Sequence, residues 1–385
     1  MKPGRNEILE SLLRELKEEG HWVSSGSFTL DTKLAETKLR NFQLPLPNGY
    51  AAKVVQFAVA NSARRIEVNE TAARFTMSFD GDTLPAHQVE GLLNYLLRDH
   101  LPDTQSHLRH LASALRGAVA LNPRSVTFES HSGYSGFRRE WDRAGWRTTE
   151  LPKGMPAGNR FVVYRTLGQR LASLVGFEGG KRLSEMEVLA NLCGFCPAEL
   201  VLQNKVLEHK LFSPERGNPT RNCALPSPVS PSSTQYLVAG TFHRDEHILQ
   251  DVLPAKKGER TSLGALPGLD GSPRCRAWIG IAANLTRGSQ VLYVDDGVAL
   301  NKSHLSLPCP GLRVVYSCEL LDKDISGFQL VKNRKHREHL RELEAVAERM
   351  KAHLEQQVES FSPPMQRRVT GALKRLQRDS LPEVY

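Results

Sequence analysis

Residues 50–79 constrain the fold more than any other stretch. From Tyr50 to Ala63 the apolar residues crowd one face of a helix, and two strand-like runs follow at once, RRIEV (Arg64–Val68) and RFTMSF (Arg74–Phe79), with a turn expected at Asn69–Glu70. A one-faced helix has to bury that face against another element. Further on, residues 86–98 carry Val89, Leu92, Leu93, Leu96 and Leu97 at helical spacing, and Leu108–Leu121 reads as a helix rich in small residues. Strands are expected at Ser125–Ser130, Gly136–Trp141 and Trp146–Leu151. Helices alternating with strands that mostly follow one another point to an α/β sandwich over an antiparallel sheet, not a parallel dinucleotide-binding sheet. Neither G-x-G-x-x-G nor G-x-x-x-x-G-K-[ST] occurs, so both phosphate-cradling loops lack their usual signature.

A second unit is expected to open near Asn159, with the strand RFVVYRT (Arg160–Thr166) and the helix Ser184–Leu192. Residues 212–233 are rich in Pro, Ser and Asn and read as a mobile insertion. Strands resume at Gln235–Phe242, Ala277–Asn284, Gln290–Val294 and Leu312–Cys318. In the tail, Leu340, Leu343, Val346, Met350 and Leu354 keep helical spacing until Pro363 and Pro364, beyond which Val369, Leu373 and Leu376 continue it. Such a tail docks on its own domain more often than on a partner. Residues 6–19 and Leu34–Phe42 read as two further helices.

No apolar run approaches the roughly 18 residues of a membrane span, and Met1–Gly20 has no apolar signal-peptide core, so a cytoplasmic location is expected. The net charge is +9, but the last 54 residues hold 12 Lys and Arg against 8 Asp and Glu, and no basic arm stands apart. Nucleic acid is a possible partner on charge alone; the basic stretch VKNRKHREH (Val331–His339) lacks interleaved aromatic residues. Six cysteines in 385 residues do not make a disulfide framework. Cys193 and Cys196 have C-x-x-C spacing, but Cys309 and Cys318 are too far apart to complete a zinc site, and buried thiols are the expectation. No metal site is expected.

The segment KVVQFAVANSARRIEV (Lys53–Val68) resembles the first ATP-site motif of the GHKL superfamily, which includes gyrase, MutL, sensor histidine kinases and the ninety-kilodalton heat-shock chaperones. The downstream segment ASALRGAVALNPRSVTFES (Ala112–Ser130) looks like the helix and strand that follow the lid in MutL. The segment VLYVDDGVALNKSHLSLPCPGLRVVYSCELLDKDISGFQLVKN (Val291–Asn333) resembles part of the chaperone middle domain. The resemblance spans roughly residues 28–335. It implies an α+β protein: a Bergerat-type α/β sandwich over 1–155, a ribosomal-protein-like βαβ middle domain over 156–331, and a helical tail over 332–385.

The resemblance also marks where chemistry is missing. Lys53 stands where the family's glutamate positions the attacking water, Phe57 where its asparagine holds Mg²⁺, and Ala60 where it has an aspartate. A lysine, with an ordinary pKa of about 10.4, is no general base at neutral pH. Phenylalanine offers a hard cation no oxygen. In SFDGDTLP the adenine-reading aspartate aligns with Phe79 on Gly81, and a slip of one residue brings in Asp80. The residues LRDHLPDTQSHLRHLA, where a glycine-rich lid belongs, contain no glycine. In LLDKDISGF, Ile325 and Ser326 match the middle-domain motif, and Gly327 replaces its γ-phosphate arginine. The leading reading is a chaperone-like or scaffold protein, serving protein partners or clients, with weak or no ATP hydrolysis. An active ATPase with ATP and Mg²⁺ as cofactors is the alternative. It would draw on Glu67, Glu70 or Asp80 as acids and Lys302 or Lys323 as phosphate contacts. A nucleic-acid-binding relative comes third.

Overall fold

The computed structural model describes residues 44–97, 105–175, 183–207, 247–256, 259, 261–263, 275–282, 285 and 288–379. The chain divides into two compact units, Met1–Asn41 and Phe42–Tyr385, and every described residue belongs to the second. The expected helices at 6–19 and 34–42, the insertion 212–233 and the strand Gln235–Phe242 lie outside the described residues.

The architecture is α+β, with two mixed sheets. Helix α1 (Tyr50–Ala60) buries Tyr50 through Ala58 and stops where Ser62 takes a φ of 65° and Ala63 donates its N–H to the Ala58 carbonyl. Strands β1 (Arg65–Glu70) and β2 (Arg74–Phe79) form the hairpin that follows. Its turn falls at Thr71–Ala73 rather than at Asn69–Glu70, because Asn69 and Glu70 pair with Thr76 and Phe75. The expected helix over 86–98 breaks at Gly91 into α2 (Ala86–Glu90) and α3 (Leu92–Leu97). Next come α4 (Ser106–Ala120), β3 (Ser125–His131), β4 (Gly136–Asp142), β5 (Gly145–Glu150) and β6 (Gly158–Tyr164).

Strand β6 corrects one expectation. Arg160–Thr166 does not open a second unit; β6 lies in the first sheet between β2 and β3, antiparallel to both. The alternation of side chains explains the placement, since Phe161 and Val163 continue the apolar face made by Phe75, Met77, Val126 and Phe128. Helix α1 lies on that face: Tyr50 packs against Phe75 and Phe161, and Phe57 against Phe79 and Phe128. Each fully buried aromatic ring contributes about 2–3 kcal/mol of transfer free energy.

Helices α5 (Leu167–Val175) and α6 (Glu185–Leu192) follow, the latter begun by a capping box between Ser184 and Glu187. Strands β7 (Glu199–Leu202) and β8 (Lys205–Val206) then return to the first sheet, whose order is β5-β4-β3-β6-β2-β1-β7-β8. Its pairs are antiparallel except β1 with β7.

The second sheet contains β9 (His247–Pro254), β10 (Cys275–Ala282), β11 (Ser289–Asp295), β12 (Val298–Leu305) and β13 (Leu312–Ser317), in the order β12-β11-β13-β10-β9. Its parallel pair is β11 and β13. These two are joined through strand β12, where a βαβ unit would place a helix. Helix α7 (Arg334–Gln356) buries Leu343, Val346, Met350 and Leu354, and His339 on it touches Tyr293 and Tyr316 of this sheet. The first part of the tail thus docks on its own sheet. Pro363 starts α8 (Pro363–Asp379), at the helix position that tolerates a missing N–H.

Candidate functional site

The end of β11 determines where the site lies. Residues Asp296 and Gly297 have φ values of 45° and 79°, and Asp295 pairs with Val298, which makes a two-residue hairpin turn. A Cβ on Gly297 would lie 2.9 Å from the Cys196 Cα, so the Asp-Gly turn fits tightly beside the segment after α6. This turn presents Asp295 and Asp296 to α1 and α4.

From α1, Gln56 Nε2 donates to the Asp295 carbonyl at 3.0 Å and to its Oδ2 at 2.8 Å. Lys323 reaches Asp295 Oδ1 at 2.6 Å. From α4, His110 Nε2 lies 3.0 Å from Asp296 Oδ2. Glu319 accepts from the amides of Ser262 and Asp296 and from the Ser317 hydroxyl. Lys53, fully buried, donates to Gln56 Oε1 at 2.7 Å and to the Gly327 carbonyl at 2.9 Å, with its Nζ 4.0 Å from the centre of the Phe328 ring.

The electrostatics follow from burial. Desolvation lowers Lys53 to about 7 against the pull of Asp295, so its ammonium is only half formed near neutrality. Burial, with Asp296 and Asp295 adding to it, raises Glu319 to about 7. Burial also lowers His110, against its hydrogen bond to Asp296. For Lys323 the desolvation is outweighed by Asp295, and its pKa rises.

His110, Asp295 and Asp296 offer ligand atoms within 4.8 Å of one another. A cation there would have to displace Lys323 and Gln56, which already hold both Asp295 carboxylate oxygens. Protein donors therefore serve the groups a metal would need.

The structure brings some of the sequence-derived residues together and keeps others apart. Lys53 meets Gly327, although the two belong to separate stretches of the GHKL resemblance. Beside Gly327, the Ser326 hydroxyl turns back onto both Asp324 carboxylate oxygens at 2.8 Å, and Ile325 is exposed. Phe57, one turn beyond Lys53, is 0% exposed and ringed by Phe79, Phe128 and His107. Ala60 is half-buried at the end of α1. Asp80 and Gly81 lie beyond it: Asp80 Oδ1 accepts from the amides of Arg64 and Arg65 at 2.8 Å, and Gly81, at φ 111°, is pressed against the Asn61 carbonyl. The Asp80 carboxylate thus holds a turn.

Gln56, His110, Asp295, Asp296 and Glu319 fall at none of the positions that the sequence motifs mark. Two signals were present: a glutamine amid the apolar residues of α1, and Asp-Asp-Gly closing the apolar strand VLYV. Cys193 and Cys196 are buried and not disulfide-bonded, and burial pushes the Cys196 thiol up to about 12. No helix among the described residues is long and apolar enough to cross a membrane. No protein-family model matches the chain, and no curated protein is significantly similar to it.

Proposed function

We propose that this chain is a chaperone-like or scaffold protein, built on a Bergerat-type sandwich, that binds protein partners in the cytoplasm and hydrolyses ATP weakly or not at all. One observation carries the reading: Phe57, at the position the GHKL resemblance gives to the metal-binding asparagine, is fully buried in an aromatic cluster. Mg²⁺ needs oxygen ligands, and the residues present do not fit Mg·ATP at that position. Two further features support the reading. The run β5-β4-β3-β6-β2-β1 is antiparallel with α1 on one face, as a sandwich of this type requires. Lys53 is engaged by the Gly327 carbonyl, so the place of the family's catalytic carboxylate is taken by an amine tied to the loop after the second sheet. Exposed apolar side chains suited to partner contact include Leu167 and Leu171, one turn apart on α5.

Calorimetry with ATP, with and without Mg²⁺, tests the proposal. The expected result is weak binding that Mg²⁺ does not enhance, together with ATP-independent suppression of aggregation of a heat-denatured client. Sub-micromolar, Mg²⁺-dependent ATP binding would overturn the reading in favour of an active ATPase.

A further inference from the structure

Between Ser360 and Asp379 the sequence holds five Lys and Arg and no acidic residue. This run forms α8, and the helical period decides where the charge goes. At about 100° per residue, Val369, Ala372 and Leu373 share one side of the helix, and all three are buried. Arg367, Arg368, Lys374 and Arg375 fall within an arc of about 120° on the other side, and all four are exposed. Gly371 lies in the middle of that arc, where a Cβ would meet nothing within 4 Å.

The charge on this face is unmatched. At the start of α7, by contrast, Arg334 pairs with Glu338 and Lys335 with Asp322, so the basic stretch Val331–His339 is partly neutralised. None of the four α8 cations makes an ion pair with a described residue. A stripe of one sign on a single helix face is the electrostatic signature of a polyanionic partner. The stripe carries no large apolar or aromatic side chain to insert into a bilayer or to stack on unpaired bases. Its cations form two pairs with a gap between them. From Arg367 to Arg375 the helix advances about 12 Å, which is about the width of the B-DNA major groove. The major groove of duplex RNA is too narrow for such a helix.

We propose that α8 docks across the major groove of double-stranded DNA, with Arg367 and Arg368 on one phosphate rim and Lys374 and Arg375 on the other. Gly371, between the pairs, leaves the backbone free to approach the groove and offers no side chain to the base edges. Binding therefore rests on phosphates and is independent of sequence. The inference does not depend on the function proposed above, since α8 is separate from Phe57 and its surroundings, and the outcome of ATP calorimetry leaves it standing.

The test is fluorescence anisotropy of the full chain with a labelled mixed-sequence DNA duplex of about 20 base pairs. Four phosphate contacts give log K a slope of about −3.6 against log salt, so affinity should fall about 150-fold between about 50 and 200 mM salt. The fourfold variant Arg367→Gln, Arg368→Gln, Lys374→Gln, Arg375→Gln keeps good helix formers. It should bind at least about tenfold more weakly at about 50 mM salt and lose most of the slope. A charge-matched control, Arg124→Gln, Arg143→Gln, Lys153→Gln, Lys205→Gln, removes four exposed cations away from α8 and should stay within about threefold of wild type. Gly371→Glu places a carboxylate in the open middle of the stripe and favours the helix. It should weaken binding at least about tenfold too, and it decides alone if the fourfold variant does not fold by circular dichroism. The proposal is overturned if the duplex does not bind at about 100 μM protein in about 50 mM salt, if the two fourfold variants weaken alike, or if Gly371→Glu binds as wild type does. Tighter α8-dependent binding to duplex RNA, single-stranded DNA or phosphatidylserine vesicles than to the DNA duplex overturns it as well.

Discussion

Lys53 and Gly327, 274 residues apart in sequence, are joined by a 2.9 Å hydrogen bond from the ammonium to the backbone carbonyl. The contact ties α1, on the first sheet, to the loop that leads from the second sheet into α7. Gly327 has a φ of 65°, and a Cβ there would lie 2.6 Å from Lys53 Nζ. A glycine is therefore favoured for its backbone, and a side chain there would push the tip of Lys53 aside.

Gly327→Ala should accordingly destabilise the protein by about 1–3 kcal/mol, read as a lower urea midpoint. Lys53 cannot step aside without giving up Gln56. In the double variant Lys53→Met, Gly327→Ala, the steric part of the loss should shrink while the backbone part remains. A Gly327→Ala protein as stable as wild type would show that the contact is loose.

Stability should depend on pH through Lys53. Its pKa falls from 10.5 to about 7 on folding, so between those values the unfolded chain binds more protons than the folded one. Stability contributed by this group therefore rises with pH across that window, by at most about 1.4 kcal/mol per pH unit. Denaturation of wild type and Lys53→Met at pH 7 and pH 9 should show the gain in the wild type only. Parallel behaviour of the two proteins would mean that the ammonium is better solvated than its burial implies.

Glu319 acts with the opposite sign. Its pKa rises from 4.5 to about 7 on folding, so the folded chain binds more protons in that window, and the group's contribution is lost as pH climbs through it. Glu319→Gln should flatten the wild-type decline between pH 5 and pH 7. An unchanged profile would remove Glu319 as its source.

Phe57→Ala should cost about 3–5 kcal/mol, because the ring fills a closed aromatic cluster. The variant should show no Mg²⁺-dependent ATP binding, since the cavity left behind supplies no oxygen ligand. Tight ATP·Mg²⁺ binding by this variant would show that the ring alone had been blocking a working pocket.

Arg165 pairs with both Glu70 and Glu185, and Glu185 also accepts the Tyr50 hydroxyl at 2.7 Å. Arg165→Ala should cost about 3–5 kcal/mol, since it strands two carboxylates in a half-buried setting. A shift in the urea midpoint worth under about 1 kcal/mol would place the trio in solvent-screened surroundings.

What was legible in the sequence was periodic. The helix at Tyr50, the strand β1 after it and the amphipathic tail all announce themselves through spacing, because one face of each is buried. What was hidden was pairing across distance. Nothing local in RFVVYRT says that it slots between β2 and β3 rather than starting a new sheet; the match of its Phe161 and Val163 to Phe75 and Phe128 exists only once the strands lie side by side. The site follows the same division. Lys53, Phe57 and Gly327 were singled out by a motif, whereas Asp295, His110 and Gln56 gain meaning only when the turn after β11 arrives beside α1 and α4.

The parallel pairing of β1 with β7 has a consequence for biogenesis. Arg65 meets Glu199, 134 positions further along the chain, so during translation the outer edge of β1 must wait for β7 to leave the ribosome, an interval on the order of ten seconds. Over the first part of that wait β2 and β3 also lack the strand that belongs between them. Unpaired strand edges are templates for aggregation. A nascent chain that stalls, or a fragment that stops at residue 155, should be insoluble on its own, whereas the same residues within the finished chain are sealed into one sheet.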